Sequence, residues 1–349
     1  MKLALAFVIS LAIGGALLYL AAADLPLGEV VAYFQEADPG RLGAALAVYG
    51  VLFSVVHLLR MWRWAFLLKP IGEFEARAVF RAASIGFMAI VVLPLRLGEL
   101  VRPYVLAKDT EAPMAAALGT AVVERVVDGL FITLLLFVTL GTYSGEQGST
   151  AFALGVGYVA LAVFSGALVV CVTALWRREW TLRLLRGVGE RVSVSLTEKV
   201  VVLLGTFLDG VEGLREGGAL APFLVVTVAY WTVNGLSIAF LATAGFGLEL
   251  GPWEGMTVLA VLVVGLMIPT GPGLAGNYEL FAMQGLGLFV AEAQVVVAGA
   301  ALVASMHVVQ FVVQVAPGLV MLWGRDRGLL SLVEASGAEL EAEASDEGG

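Results

Sequence analysis

Charged residues are scarce in this chain, and chemistry falls to the few whose spacing is regular. The stretch Pro94-Leu-Arg-Leu-Gly-Glu-Leu-Val-Arg-Pro-Tyr104 sets Arg96, Glu99 and Arg102 three residues apart inside a strongly apolar sequence. An ionisable side chain at bilayer depth costs roughly 2.5–3.5 kcal/mol on insertion scales, so three together need water, partners or a ligand. A second punctuated stretch, Pro269-Thr-Gly-Pro-Gly-Leu-Ala-Gly-Asn-Tyr-Glu279, ends on another acid. Between them, Glu124-Arg-Val-Val-Asp128 puts two acids four residues apart on one helical face, with Arg125 three from Asp128. That cluster has two compatible readings: ions that satisfy one another and hold helices together, or the wall of a polar cavity shared with the first stretch.

In the first stretch the chain is expected to descend to Pro94, turn through Arg96 and Gly98, and climb as a helix from about Glu99. A helix N-terminus with free N–H groups would then lie inside the membrane. With Arg96 and Arg102 beside it, the site suits a phosphate or carboxylate, and Glu99 would hold one arginine in place. In the second stretch Gly271, Gly273 and Gly276 permit tight backbone, Asn277 is a reasonable N-cap, and Glu279 falls in the first helical turn. Glu279 either satisfies the helix dipole or binds a proton or cationic head group. The candidate substrate-binding set is Arg96, Gly98, Glu99, Arg102, Tyr104, Glu124, Arg125, Asp128, Pro272, Gly273, Gly276 and Glu279.

Other chemistries are poorly supplied. His57, His307 and Cys171 are the only His and Cys residues, so no His/Cys metal site is expected, and an internal disulfide is impossible. No nucleotide-binding pattern is present; no catalytic residue, cofactor or nucleic-acid partner is expected. A membrane transferase using Glu124 and Asp128 as acid and base is the enzymatic alternative. His307, Gln310 and Gln314 form one helical stripe, read as interhelical hydrogen bonding, with His307 as a proton carrier the other reading.

The elements that must position these groups are membrane helices. The chain has 349 residues, is 60% hydrophobic and 14% charged, with a mean hydropathy of +0.95. Several uncharged runs exceed the ~20 residues a helix needs to cross the hydrocarbon. Helices are expected over 3–23, 42–68, 113–140, 151–175, 220–243 and 293–323. The first has a cleavable signal peptide as its competing reading, and 24–41 reads as a loop. Val79–Leu93 and 256–268 are too short to cross, so each is read as half of a re-entrant hairpin. Trp62, Trp64, Arg60 and Arg63 close the second helix as interface anchors, with the arginines facing a head group as the alternative. Residues 176–218 carry Val200, Leu203, Leu204, Phe207, Leu208, Val211 and Leu214 on one face, the pattern of an interfacial amphipathic helix.

Element order repeats: helix two matches helix five, Pro94 matches Pro269, Glu99 matches Glu279, and helix three matches the last helix, all at a near-constant offset. Lysines and arginines concentrate on the side that holds both termini, which the positive-inside rule places in the cytoplasm. The halves, about 42–143 and 220–323, then run in opposite directions. The expected fold is an all-α integral membrane protein with about six transmembrane helices plus two re-entrant helical hairpins in an inverted repeat, an arrangement found in transporters. Much of the net charge of −9 sits in the six acids after residue 330, so 326–349 reads as an acidic, disordered cytoplasmic tail.

The ordered motifs Pro94-x-Arg-x-Gly-Glu-x-x-Arg-Pro, Glu124-Arg-x-x-Asp128 and Pro269-x-x-Pro-Gly-x-x-Gly-x-x-Glu279 resemble the lysylphosphatidylglycerol synthase transmembrane, or flippase-like, family, over about 1–325. The family includes the flippase half of the multiple peptide resistance factor. The resemblance implies a flippase-like domain in the cytoplasmic (inner) membrane, moving an anionic or zwitterionic phospholipid or a polyprenyl-phosphate-linked lipid, with Arg96 and Arg102 on the head group. It carries no aminoacyltransferase activity over, since no such domain follows residue 325. The alternative is a non-transporting scaffold for a lipid- or glycan-synthesis enzyme. Gly-rich helices allow packing within one chain or between copies, leaving a homo-oligomer open. One departure is Leu274, where many relatives carry a second glycine.

Overall fold

The computed structural model describes residues 2–23, 25–93, 98–141, 149–189, 218–268, 271–323 and 328–346, with scattered positions between 197 and 208. Every regular element among them is helical. In order these are α1 (Lys2–Ala22), α2 (Leu27–Glu36), α3 (Pro39–Leu68), α4 (Ala76–Val92), α5 (Val101–Asp109), α6 (Met114–Gly141), α7 (Ser149–Trp176), α8 (Arg178–Gly189), α9 (Leu220–Phe246), α10 (Pro252–Leu266), α11 (Asn277–Leu286), α12 (Glu292–Leu322) and α13 (Leu329–Asp346).

Four of these are long and apolar enough to cross a membrane among the described residues: α3, the Ala153–Ala174 part of α7, α9 and α12. A fifth crossing is available if the pair Leu11–Ala22 and Leu27–Glu36, bent by 72°, acts as one. Helix α6 is equally long, about 42 Å at 1.5 Å per residue, but carries Glu124, Arg125 and Asp128 at its middle. The chain is thus a multi-pass helical membrane protein. The start of α3 follows from its sequence. Asp38 Oδ1 accepts from the N–H groups of Gly40 (2.8 Å) and Arg41 (3.0 Å), and Pro39 occupies the first turn, where no N–H is missed.

Helices α4 and α5 run antiparallel. Arg81 Nη1 donates to Asp109 Oδ2 at 3.1 Å near the open end. Midway, a Cβ on Gly86 would lie 2.4 Å from Arg102 Cβ, and beside the break a Cβ on Gly98 would lie 2.2 Å from the backbone of Ala89 and Ile90. Each pair is closer to the break than the last, so the chain folds back on itself. Helices α10 and α11 repeat the pattern: Gly265 meets the Phe281 ring, and Gly285 meets Val258. Helix α3 packs along α9; α4 packs on α12, and α10 packs on α6. Two buried apolar cores result. One joins α3, α9, α10, α11 and α12; the other joins the end of α3 to α4, α5 and the start of α6.

Three expectations are corrected. Residues 24–41 are not simply a loop, because 27–36 form α2. Tyr33 stacks on Phe246 at 6.0 Å and donates its hydroxyl hydrogen to the Phe246 carbonyl at 2.7 Å, so α2 has an apolar surface to cover. The tail expected to be disordered over 326–349 is helical over 329–346. Two of its acids have partners: Glu339 Oε2 lies 2.8 Å from Lys108 Nζ, and Glu343 accepts the N–H groups of Met114 (2.6 Å) and Ala115 (3.0 Å) at the start of α6. Asn277 is not an N-cap; Gly276 holds that position, and Asn277 opens α11. The amphipathic face expected from Val200 to Leu214 falls mostly outside the described residues.

Candidate functional site

The centre of the molecule is a buried ion cluster. Arg63, on α3, reaches α6 with both ends of its fork: Nη1 donates to Asp128 Oδ1 (2.6 Å), and Nη2 donates to Asp128 Oδ2 (2.5 Å) and Glu124 Oε1 (2.9 Å). Arg63 and Glu124 are fully buried, and Asp128 nearly so. Thr227 and Trp231 of α9 complete it; Trp231 Nε1 donates to Asp128 Oδ1 at 3.2 Å. Such a group is held only because every charge meets an opposite one, since the interior does not repay a lone buried ion.

Arg102, in the first turn of α5, is also fully buried. Its Nη1 stands 2.8 Å from Glu124 Oε2, an ion pair by distance whose angle makes no hydrogen bond. Its guanidinium carbon lies 4.4 Å from the Trp64 ring centroid. Arg125 bonds Glu124 Oε1 through Nη2 at 2.9 Å and stays partly exposed. Arg60, one turn before Arg63, lies over the Phe87 ring at 3.9 Å and donates to Gln314 Oε1 at 3.3 Å.

The second hairpin breaks around Pro272–Leu274. Gly273 (φ +74°) and Gly276 (φ +88°) take conformations that L side chains resist, and Leu274 takes one too (φ +61°). Asn277 Nδ2 donates to the carbonyls of Gly265 (3.0 Å) and Ile268 (2.9 Å), satisfying the end of α10 across the break. Glu279 Oε2 accepts from Gly276 N–H at 2.7 Å. From α12, His307 Nδ1 lies 2.6 Å from Glu279 Oε1, and His307 Nε2 lies 2.7 Å from the Gly273 carbonyl oxygen.

Two cavities meet here. A polar one of about 110 Å³ lies between the breaks; Ile90 and Val91 of the first hairpin and Gly273, Leu274 and Tyr278 of the second line it. Arg60, Arg125, Asp128, Asn234, His307 and Gln310 face it. A groove of about 920 Å³ between α6, α7 and α10 is apolar except for Glu99 and Arg125, and Val159 and Val163 on its lining are exposed at the flank. Arg125 and Met267 belong to both linings.

The expected site residues therefore divide. Glu99 and Arg125 meet at the groove, while Arg125, Asp128 and Gly273 share the polar cavity. Glu124 and Arg102 lie behind it in the ion cluster, lining neither space. Tyr104 is buried in the hairpin core, Gly98 is pressed on the α4 backbone, and Gly276 packs on Gly14 of α1. Pro272 opens the short helical turn at the second break, and Arg96 lies outside the described residues. Sequence reasoning undervalued Arg60 and Arg63, whose neighbouring tryptophans read as interface anchors. It also missed Trp231, and it read Asn234 as buried within the fifth helix without giving it a role in the site. The signal available was an arginine pair within one turn of a long apolar helix.

Paired hairpins around a buried charge centre define a multi-pass membrane protein with an internal polar site. The chain belongs to the family described as the lysylphosphatidylglycerol synthase TM region, which matches residues 7–318. A curated relative, named glycosyltransferase AglD, from Haloferax volcanii, is 26% identical over 336 residues, covering 88% of this chain and 52% of its own length. The chain thus spans about half the length of that relative. No solved structure matches it.

Proposed function

We propose that this chain carries an amphiphilic lipid between leaflets, taking an anionic or zwitterionic head group, or a polyprenyl phosphate, into the polar cavity while the tail stays in the apolar groove. The observation that carries this reading is Arg125, whose side chain borders both spaces. A lipid needs one polar and one apolar compartment in register, with a cation where they meet. Arg125 and Arg60 are the described cations that reach the cavity; Arg102 acts from behind by holding Glu124, and Arg96 stays a head-group candidate.

The packing pattern supports an inverted repeat, because each hairpin rests on the long helix that follows the other hairpin. Broken helices so related, with their turns near mid-membrane, suit alternating access. In this reading the two hairpins are re-entrant and both termini lie in the cytoplasm, where the lysines and arginines concentrate.

A leaflet assay in proteoliposomes tests it. Fluorescent phospholipid or polyprenyl phosphate should cross only when the protein is present, and Arg125→Ala should abolish crossing while the protein stays folded. Absence of movement for both lipid classes ends the proposal. The relative's name and the half-length match favour a second reading, a scaffold that presents a lipid to a lipid- or glycan-synthesis enzyme. In that case the protein drives no leaflet movement, and Arg125→Ala lowers partner-dependent glycan transfer.

A further inference from the structure

We propose that His307 and Glu279 form a proton-binding site that fastens the second hairpin to α12, so that one proton governs the cavity wall. This goes beyond the lipid reading and does not depend on it.

The geometry fixes the proton count. The Gly273 carbonyl oxygen has no hydrogen, so His307 Nε2 must donate across the 2.7 Å contact. The second nitrogen, Nδ1, faces Glu279 Oε1 at 2.6 Å, a distance that requires a hydrogen between them. That hydrogen belongs either to an imidazolium beside a carboxylate or to a carboxylic acid beside a neutral imidazole. Both states have zero net charge and one proton more than the separated neutral histidine and carboxylate. Glu279 cannot turn away freely, because Oε2 accepts from Gly276 N–H. Nor can the imidazole, whose ring stacks on Tyr278 at 4.2 Å and 15°.

When one proton leaves to water, the pair gains a charge of −1 and the neutral imidazole keeps a hydrogen on only one nitrogen; the carboxylate holds it on Nδ1, which leaves the Nε2 lone pair against the Gly273 carbonyl oxygen. That contact must open, which frees the turn Pro272–Leu274, two of whose residues line the polar cavity. The conformation of Leu274 (φ +61°), which L side chains resist, adds to the tendency to rearrange.

Other titratable groups surround the pair. Tyr278 belongs to α11; Tyr49 of α3 accepts from Gln310 Nε2 at 2.6 Å, one turn along α12. Across the cavity are His57 and Arg60 of α3, Arg125 and Asp128 of α6, and Tyr230 of α9. Helix α1 brings Gly14, Leu17 and Leu18 to the break, none of them titratable. His57 is therefore the competing source of any histidine-like response.

Hydrogen-exchange mass spectrometry on the full chain in lipid nanodiscs tests the site across about pH 5–9, corrected for intrinsic exchange. In the wild type, protection of 273–280 should fall about tenfold per pH unit once the shared proton is lost. In Glu279→Gln the amide donates to Nδ1 and still accepts from Gly276, so protection should persist and become independent of pH. In His307→Gln the pH dependence should also vanish, whereas His57→Phe should keep it. A flat wild-type profile overturns the proposal even if no variant folds, and so does an unchanged slope in either Glu279→Gln or His307→Gln. Loss of leaflet movement in Arg125→Ala without change in this profile separates the proton site from the lipid site.

Discussion

Arg63 and Asp128 face each other across α3 and α6 through two hydrogen bonds, 2.6 and 2.5 Å, with both side chains buried. The pair fixes the helix that bears the first hairpin's connection to the helix that lines both cavities. Removing one member leaves a buried charge without its counter-ion, which costs about 3–5 kcal/mol. We expect Arg63→Met to lower stability in detergent by that amount, followed through tryptophan fluorescence on heating. Adding Asp128→Asn should recover part of the loss, with a coupling of at least about 1 kcal/mol. Strict additivity would show that the two residues act separately.

Gly98 was a binding candidate by sequence, yet a Cβ there would strike the Ala89 and Ile90 backbone at 2.2 Å. Backbone cannot swing aside as a side chain does, so Gly98→Ala forces the hairpin apart. A destabilisation of about 1–3 kcal/mol is expected, the range for overpacking. Yield and thermal stability should fall together. A stable variant deficient only in lipid binding would restore the ligand role.

These two positions show what the sequence makes legible. Charge at regular spacing in an apolar chain located both breaks and the Glu124–Asp128 face, because burying ions is too costly to be incidental. The partners of those ions were less visible. Arg63 sits beside Trp62 and Trp64, the usual signature of a membrane interface, and only the packing of α3 on α9 carries it inward. Helix α2 and helix α13 were hidden for a related reason: each is short or acidic, and each is stabilised by partners distant in sequence. Asn277 was assigned a local cap, while its amide instead serves the carbonyls of the preceding helix.

Glu343 supplies a test of α13. Its carboxylate accepts two N–H groups at the start of α6, where helix-terminal donors and the dipole favour an anion. Glu343→Ala should cost about 1 kcal/mol and raise hydrogen exchange at 114–117 and along α13, leaving the hairpin breaks unchanged. The Lys108–Glu339 pair is more exposed and should contribute little by comparison, so Glu339→Ala serves as the control. Equal effects from the two substitutions would contradict the capping role.

Leu274 is the described non-glycine residue with a positive φ, +61°, within the second break. The left-handed conformation costs an L residue roughly 1–2 kcal/mol, and glycine removes that cost while adding freedom to the unfolded chain worth somewhat less than 1 kcal/mol. Leu274→Gly should therefore leave stability unchanged or raise it by up to about 1 kcal/mol, despite losing an apolar side chain from the cavity lining. Leu274→Val should lower stability, because a β-branched residue tolerates this conformation least. If the leucine side chain instead secures the turn by packing in the cavity, the order reverses and the glycine variant melts first. Thermal unfolding of the three proteins in one detergent decides between strain and packing at this position.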